Sequence, residues 1–148
     1  MEVIVARETE TVAREAATRI LECVQSTPDA VIGLATGGTQ SGIYRLLIDA
    51  YQRGEVSFAD TRFFMLDEYA GVLTTSPHSF QNTLRTQFLD HVDAAVDSLR
   101  VLDGNAADLN GEAEHFEQAL ANQGGIDLQL LGIGTNGHIG FNEPGSPF

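Results

Sequence analysis

A chain of 148 residues with 43% hydrophobic and 20% charged residues has an ordinary globular composition, long enough for one domain with a sizeable core. Its net charge of −13, with arginine as every basic side chain and no lysine, argues against nucleic acid and anionic membrane surfaces as partners. No apolar run approaches the roughly 18 residues of a membrane span, MEVIVARETE lacks the order of a signal peptide, and the lone Cys23 cannot form an internal disulfide, so a cytoplasmic protein is expected.

In chain order, Val3-Ile4-Val5 reads as a first strand. Ala13, Ala17, Ile20, Leu21 and Val24 then recur at helical spacing, with Arg14, Arg19 and Glu22 turned outward. Cys23 falls inside that pattern and reads as a small core residue. Thr27-Pro28-Asp29 ends the helix. Ala30–Ala35 is a nearly continuous apolar run, which suits a parallel strand covered on both faces. Thr36-Gly37-Gly38-Thr39 follows as a loop, and a second helix places Ile43, Leu46, Leu47 and Ala50 on one side before Gly54 stops it. Thr61–Leu66 is the next strand and runs into Asp67-Glu68-Tyr69. Residues 79–91 read as a helix and Ser98–Leu102 as a short strand. Asp108 caps a helix carrying Ala113, Phe116 and Leu120, ended by Gly124-Gly125. Asp127–Ile133 is the last strand.

This alternation predicts one Rossmann-like, doubly wound α/β domain over residues 1–148, its sheet mainly parallel with helices on both faces. Ligands of such sheets bind beyond the carboxyl ends of the strands. Three strands here end in polar or glycine-rich loops: Thr36–Thr39, Asp67–Tyr69 and Gly134–Glu143. In a parallel sheet all three converge on one edge.

Gly132-Ile133-Gly134-Thr135-Asn136-Gly137 spells G-x-G-x-x-G, a dinucleotide fingerprint only if it follows a strand and opens a helix. A strand precedes it, but His138–Pro147 has two glycines and two prolines, a loop composition. A nucleotide cofactor is therefore rejected, and no P-loop motif is present. Gly37 and Gly38 do join a strand to a helix. A tight turn and an anion site on the helix amides both fit them.

Among the ionisable groups, Asp67 ends an apolar strand, where burial raises a carboxylate pKa toward values useful to a general base; a helix cap or salt bridge is the plainer reading of a lone Asp. His138 and Glu143 share one loop. An imidazole can move protons in both directions near neutral pH, and Glu143 or Asn136 is placed to orient it; a turn residue bonding its own backbone is the plainer reading. His78, His91 and His115 have no ligand-like spacing with it, so no metal is expected.

Four segments together, GLATGGT at Gly33–Thr39, LDEY at Leu66–Tyr69, HSF at His78–Phe80 and GIGTNGHIGFNEPGS at Gly132–Ser146, resemble the glucosamine-6-phosphate deaminase (isomerase) family. The resemblance implies an enzyme, of hydrolase or isomerase type, acting on a small-molecule sugar phosphate in amino-sugar catabolism. Glucosamine 6-phosphate and water would give fructose 6-phosphate and ammonia, without cofactor or metal. It also implies that Asp67 moves the proton from C2 to C1. His138 serves ring opening, assisted by Asn136 and Glu143, and Gly37, Gly38 and Thr39 hold the phosphate. Some relatives carry Asp at position 136, and Gln40 stands where Pro is often found. Glu68, Tyr69, His78 and Ser79 belong to the matched motifs and receive no catalytic role.

The resemblance covers roughly the first three-fifths of a usual member, so the fold is expected to be truncated at its C-terminus. Phosphate-binding Arg and Lys side chains would lie largely in the continuation. The chain alone is therefore expected to bind substrate poorly and to be inactive. Uncovered faces would favour association, a homo-oligomer included. The alternatives are a 6-phosphogluconolactonase on the same fold, which the LDEY and GHIGFNEP forms disfavour, and an inactive sugar-phosphate-binding remnant.

Overall fold

The computed structural model describes residues 2–146. Four strands, β1 (Val31–Leu34), β2 (Arg62–Met65), β3 (Leu99–Arg100) and β4 (Leu128–Gln129), form one parallel sheet in the order β3-β2-β1-β4. The chain winds outward from β1 through β2 to β3, then returns to the other side of β1 for β4. The winding reverses between β1 and β4, and a crevice opens beyond the strand ends at such a switch point.

Helices α1 (Thr9–Ser26), α2 (Gly38–Gln52) and α3 (Phe80–Gln87) bury their apolar stripes on one face, and α4 (Leu109–Asn122) lies on the other. Ala13, Ala17, Ile20 and Val24 of α1 meet Ile43, Tyr44 and Leu47 of α2 over Ile32, Leu34, Phe63 and Met65 of the sheet. The strand residues alternate, so Phe64 points the opposite way and packs edge-on against Phe116 of α4, with centroids 5.4 Å apart. No residue of α4 is buried. Helices thus cover both faces, as expected, but unequally. Ser79 caps α3 by accepting from the Asn82 amide, and Asp108 caps α4 by accepting from Asn110 and Gly111.

Some expectations need correction. Val3-Ile4-Val5 is not a strand; the three residues are 70%, 50% and 90% exposed. A short apolar run becomes a strand only by pairing, and no described strand edge takes it up. The helix expected over 79–91 breaks at Phe88, and a 3-10 turn, Leu89–His91, follows. The break carries the Phe88 ring into the core, where it stacks on Tyr44 at 5.3 Å and meets Phe58 and Phe63 edge-on. Burying such a ring is worth roughly 2 kcal/mol, against about 1 kcal/mol for a helical hydrogen bond given up. β4 pairs over two residues rather than the expected seven, because β1 ends at Leu34 and leaves nothing beyond for Gly132 and Ile133 to pair with.

Candidate active site

Three strand exits meet in one cleft of about 690 Å³. At the exit of β1, Gly37 has φ 145° and ψ 167°, a region essentially closed to side chains with a Cβ. That turn starts α2 at Gly38, so Gly38 and Thr39 belong to the first helical turn rather than to a loop. The tight turn and a helix start at the cleft thus coincide: the turn places the first turn of α2, whose leading amides have no partner within the helix, on the cleft wall. The buried Tyr44 hydroxyl donates to the Ala35 carbonyl and pins this exit to the helix.

At the exit of β2, Asp67 lines the cleft half-buried and makes no hydrogen bond among the described residues. Burial first, and the adjacent Glu68 carboxylate second, push its carboxyl above the ordinary range. Glu68 is the opposite case. It accepts from the Ser79 hydroxyl at 2.7 Å and from the amides of Tyr69, Phe80 and Gln81 at 2.9, 3.2 and 3.1 Å. Burial pushes its carboxyl up, but these bonds, led by Ser79, pull it below its ordinary value. Glu68 thus ties the β2 exit to the start of α3. Tyr69 packs on Phe80 and Phe141 at 4.8 and 5.1 Å, an aromatic patch at the mouth of the cleft.

At the exit of β4 the chain turns without forming a helix, which agrees with rejecting the nucleotide fingerprint. Gly134 donates its amide to the His138 carbonyl at 2.8 Å, and a Cβ on Gly134 would lie 2.2 Å from the His138 ring. Only glycine admits the imidazole here. His138 Nδ1 is 2.7 Å from Asn136 Oδ1, and Asn136 Nδ2 donates to Glu143 Oε2 at 2.6 Å. Glu143 lies 3.8 Å from Nδ1, so Asn136 is the direct partner and Glu143 stands one step behind. An amide oxygen only accepts, so Nδ1 carries the proton and Nε2 keeps its lone pair. The loop closes over the β2 exit at Gly140, where a Cβ would lie 3.5 Å from Asp67 Oδ2.

The arrangement can take a proton at a desolvated carboxylate and pass another through an oriented imidazole. Comparison with known proteins gives it a family. The family model for glucosamine-6-phosphate isomerases/6-phosphogluconolactonase matches residues 6–141. The chain belongs to this family. It is 44% identical over 148 residues to a glucosamine-6-phosphate deaminase of Bacillus velezensis, covering all of this chain and 61% of that protein. A solved structure of a monomeric glucosamine-6-phosphate deaminase superposes with a TM-score of 0.95 at 41% identity, over 99% of this chain and 61% of that one. The 6-phosphogluconolactonase of Trypanosoma brucei superposes with a TM-score of 0.76 at 26% identity, over 97% and 63%. The chain spans about three-fifths of the length of the curated relatives it matches. The close relatives are named deaminases; a hydrolase label would rest on the gluconolactonase branch and is not supported.

Within this isomerase family frame, Gly37, Gly38, Thr39, Asp67, His138 and Glu143 all line the cleft, and Asn136 joins them through His138. Two features escaped sequence reading. Gln40 lines the cleft almost fully buried, although its place directly after TGGT was a usable signal. The Tyr69–Phe80–Phe141 patch joins three distant segments, and no local spacing announces it. Among the described residues no group of three or more His, Cys, Asp or Glu side chains is arranged to hold a metal, and no helix is long and apolar enough to cross a membrane.

Proposed function

We propose that residues 1–148 form a sugar-phosphate unit of a cytoplasmic glucosamine-6-phosphate deaminase. The reaction is glucosamine 6-phosphate plus water to fructose 6-phosphate plus ammonia. The observation that carries the reading is the meeting of Asp67 and the His138–Asn136–Glu143 chain in one cleft. The names of the relatives supply the substrate class.

The closed sugar binds with its phosphate toward the amides of Gly38 and Thr39. His138 Nε2 takes the anomeric hydroxyl proton and returns it to the ring oxygen, opening the ring. The Asn136 oxygen holds the imidazole, and the Glu143 carboxylate behind it stabilises the charge that forms in transit. Asp67 removes the C2 proton and delivers it to C1, converting the aldose to the ketose level. A proton passes from the amino nitrogen to O1 in this shift and leaves a C2=N bond; water adds at C2, and ammonia departs as the C2 carbonyl forms. A carboxylate raised by burial suits this shuttle, because it binds a proton more readily than a solvated one.

The test is incubation of the full-length protein with glucosamine 6-phosphate, reading ammonia and fructose 6-phosphate. Formation of both supports the proposal. Hydrolysis of 6-phosphogluconolactone with no ammonia from the amino sugar would overturn it in favour of the lactonase branch.

A further inference from the structure

Gln40 stands in the first turn of α2 and is 5% exposed. Its carboxamide lies between the exits of β1 and β4. A Cβ on Gly37 would fall 2.6 Å from Gln40 Oε1, and one on Gly132 would fall 2.5 Å from Nε2. Two glycines on separate loops leave the space that this one amide fills. A Gln at the third helical position often reaches back to bond the cap residue, but Gln40 makes no hydrogen bond among the described residues. The nearby carbonyls of Ala35 and Gly37 are taken by Tyr44 and Ser41.

What remains open of this side chain borders the cleft, and neither polar atom of its amide is engaged by a described residue, so both are free to meet an occupant. The neighbours define that occupant. The first-turn amides of α2 attract negative charge, Thr39 adds a hydroxyl, and no arginine lines the cleft among the described residues. A neutral donor is therefore valuable at this spot.

Resting on the sugar-phosphate reading of the cleft, we infer that Gln40 is a substrate-binding residue whose amide donates to the phosphate. The amide carries a donor and an acceptor, and a half-turn exchanges them in place. A donor thus reaches the anion from either loop.

Gln40→Met tests this, because it keeps length and removes both polar atoms. Three readouts are needed: inorganic phosphate binding by calorimetry, KM and kcat with glucosamine 6-phosphate, and the thermal midpoint. The phosphate Kd and the KM should each rise about tenfold, with kcat changing far less. The midpoint should change little, since no described residue loses a hydrogen bond. Glucosamine without phosphate should bind parent and variant alike. Gln40→Glu keeps the shape but sets a carboxylate against the anion, so phosphate binding should weaken further, by about a hundredfold. The assignment is overturned if Gln40→Met binds phosphate like the parent, if its midpoint falls while KM holds, or if the parent binds no phosphate. A full-length parent that binds phosphate through Gln40 yet leaves glucosamine 6-phosphate unconverted would refute the deaminase reading and leave Gln40 as a phosphate ligand.

Discussion

The exits of β2 and β4 both bring an acid–base group to the cleft, and they do it by opposite means. Asp67 is held by the fold: a buried strand delivers it, Glu68 anchors the next residues to α3, and its own carboxylate is left without a partner. His138 is held by its own loop, through contacts reaching only from Gly134 to Glu143. A group whose reactivity comes from exclusion of water needs a rigid frame and no hydrogen-bonding side chain beside it. A group that must face one way needs partners, and a short loop can supply them.

This contrast can be broken at several points. In the full-length protein, Asp67→Asn should cut turnover of glucosamine 6-phosphate by about 10³-fold or more and stop solvent exchange at C2, followed by NMR in deuterated water. Retained exchange would falsify its role as the base. His138→Gln should cost less, about 10²-fold, and mainly on the closed-ring sugar; equal losses on both ring forms would remove ring opening from its role. Glu68→Ala should lower stability by about 2 kcal/mol in urea denaturation, since the start of α3 loses its cap. A loss below about 0.5 kcal/mol would mean the β2 exit is held otherwise. Asn136→Ala should reduce turnover about tenfold with little change in unfolding midpoint; a large stability loss would show the relay to be a structural brace.

The smallest effect is the most diagnostic. Asp67 has a raised folded pKa, so the native state holds its proton longer than the unfolded chain. Stability therefore declines as pH climbs from the unfolded value of 3.8 through the raised one. Glu68, with a lowered folded pKa, contributes stability above its unfolded value of 4.5 that is lost as pH falls through the folded one. Asp67→Asn should accordingly be more stable than the parent at neutral pH, the gap closing below pH 3.8. Glu68→Gln should be less stable at neutral pH, its deficit shrinking in acid. Parallel curves for the two variants would contradict the assignment of opposite environments.

Much of this was legible in the sequence because it is local. Strand and helix periods, the Asp108 cap and the placing of Asp67 and His138 beyond strand ends all follow from short-range pattern. What was not legible depends on distant partners. Val3–Val5 has strand composition but no edge to pair with. Phe88 leaves its helix because Tyr44, Phe58 and Phe63, far away in the chain, make a place for its ring. Asn136 and Glu143 were both candidates to orient His138; only the path of the loop puts Asn136 in contact and Glu143 behind it. Gln40 could not be seen as buried before Gly132 was known to pass beside it.

The thin face of the sheet has a dynamic consequence. α4 has no buried residue and is tied down by the Phe64–Phe116 contact and the Arg100–Glu112 pair at 3.2 Å. Such a helix opens as a unit of its own, at a fraction of the global unfolding free energy. Its amide protons should exchange with deuterated solvent well ahead of those of β1 and α2. Because no residue of α4 lines the cleft, these excursions should leave Asp67 and His138 undisturbed.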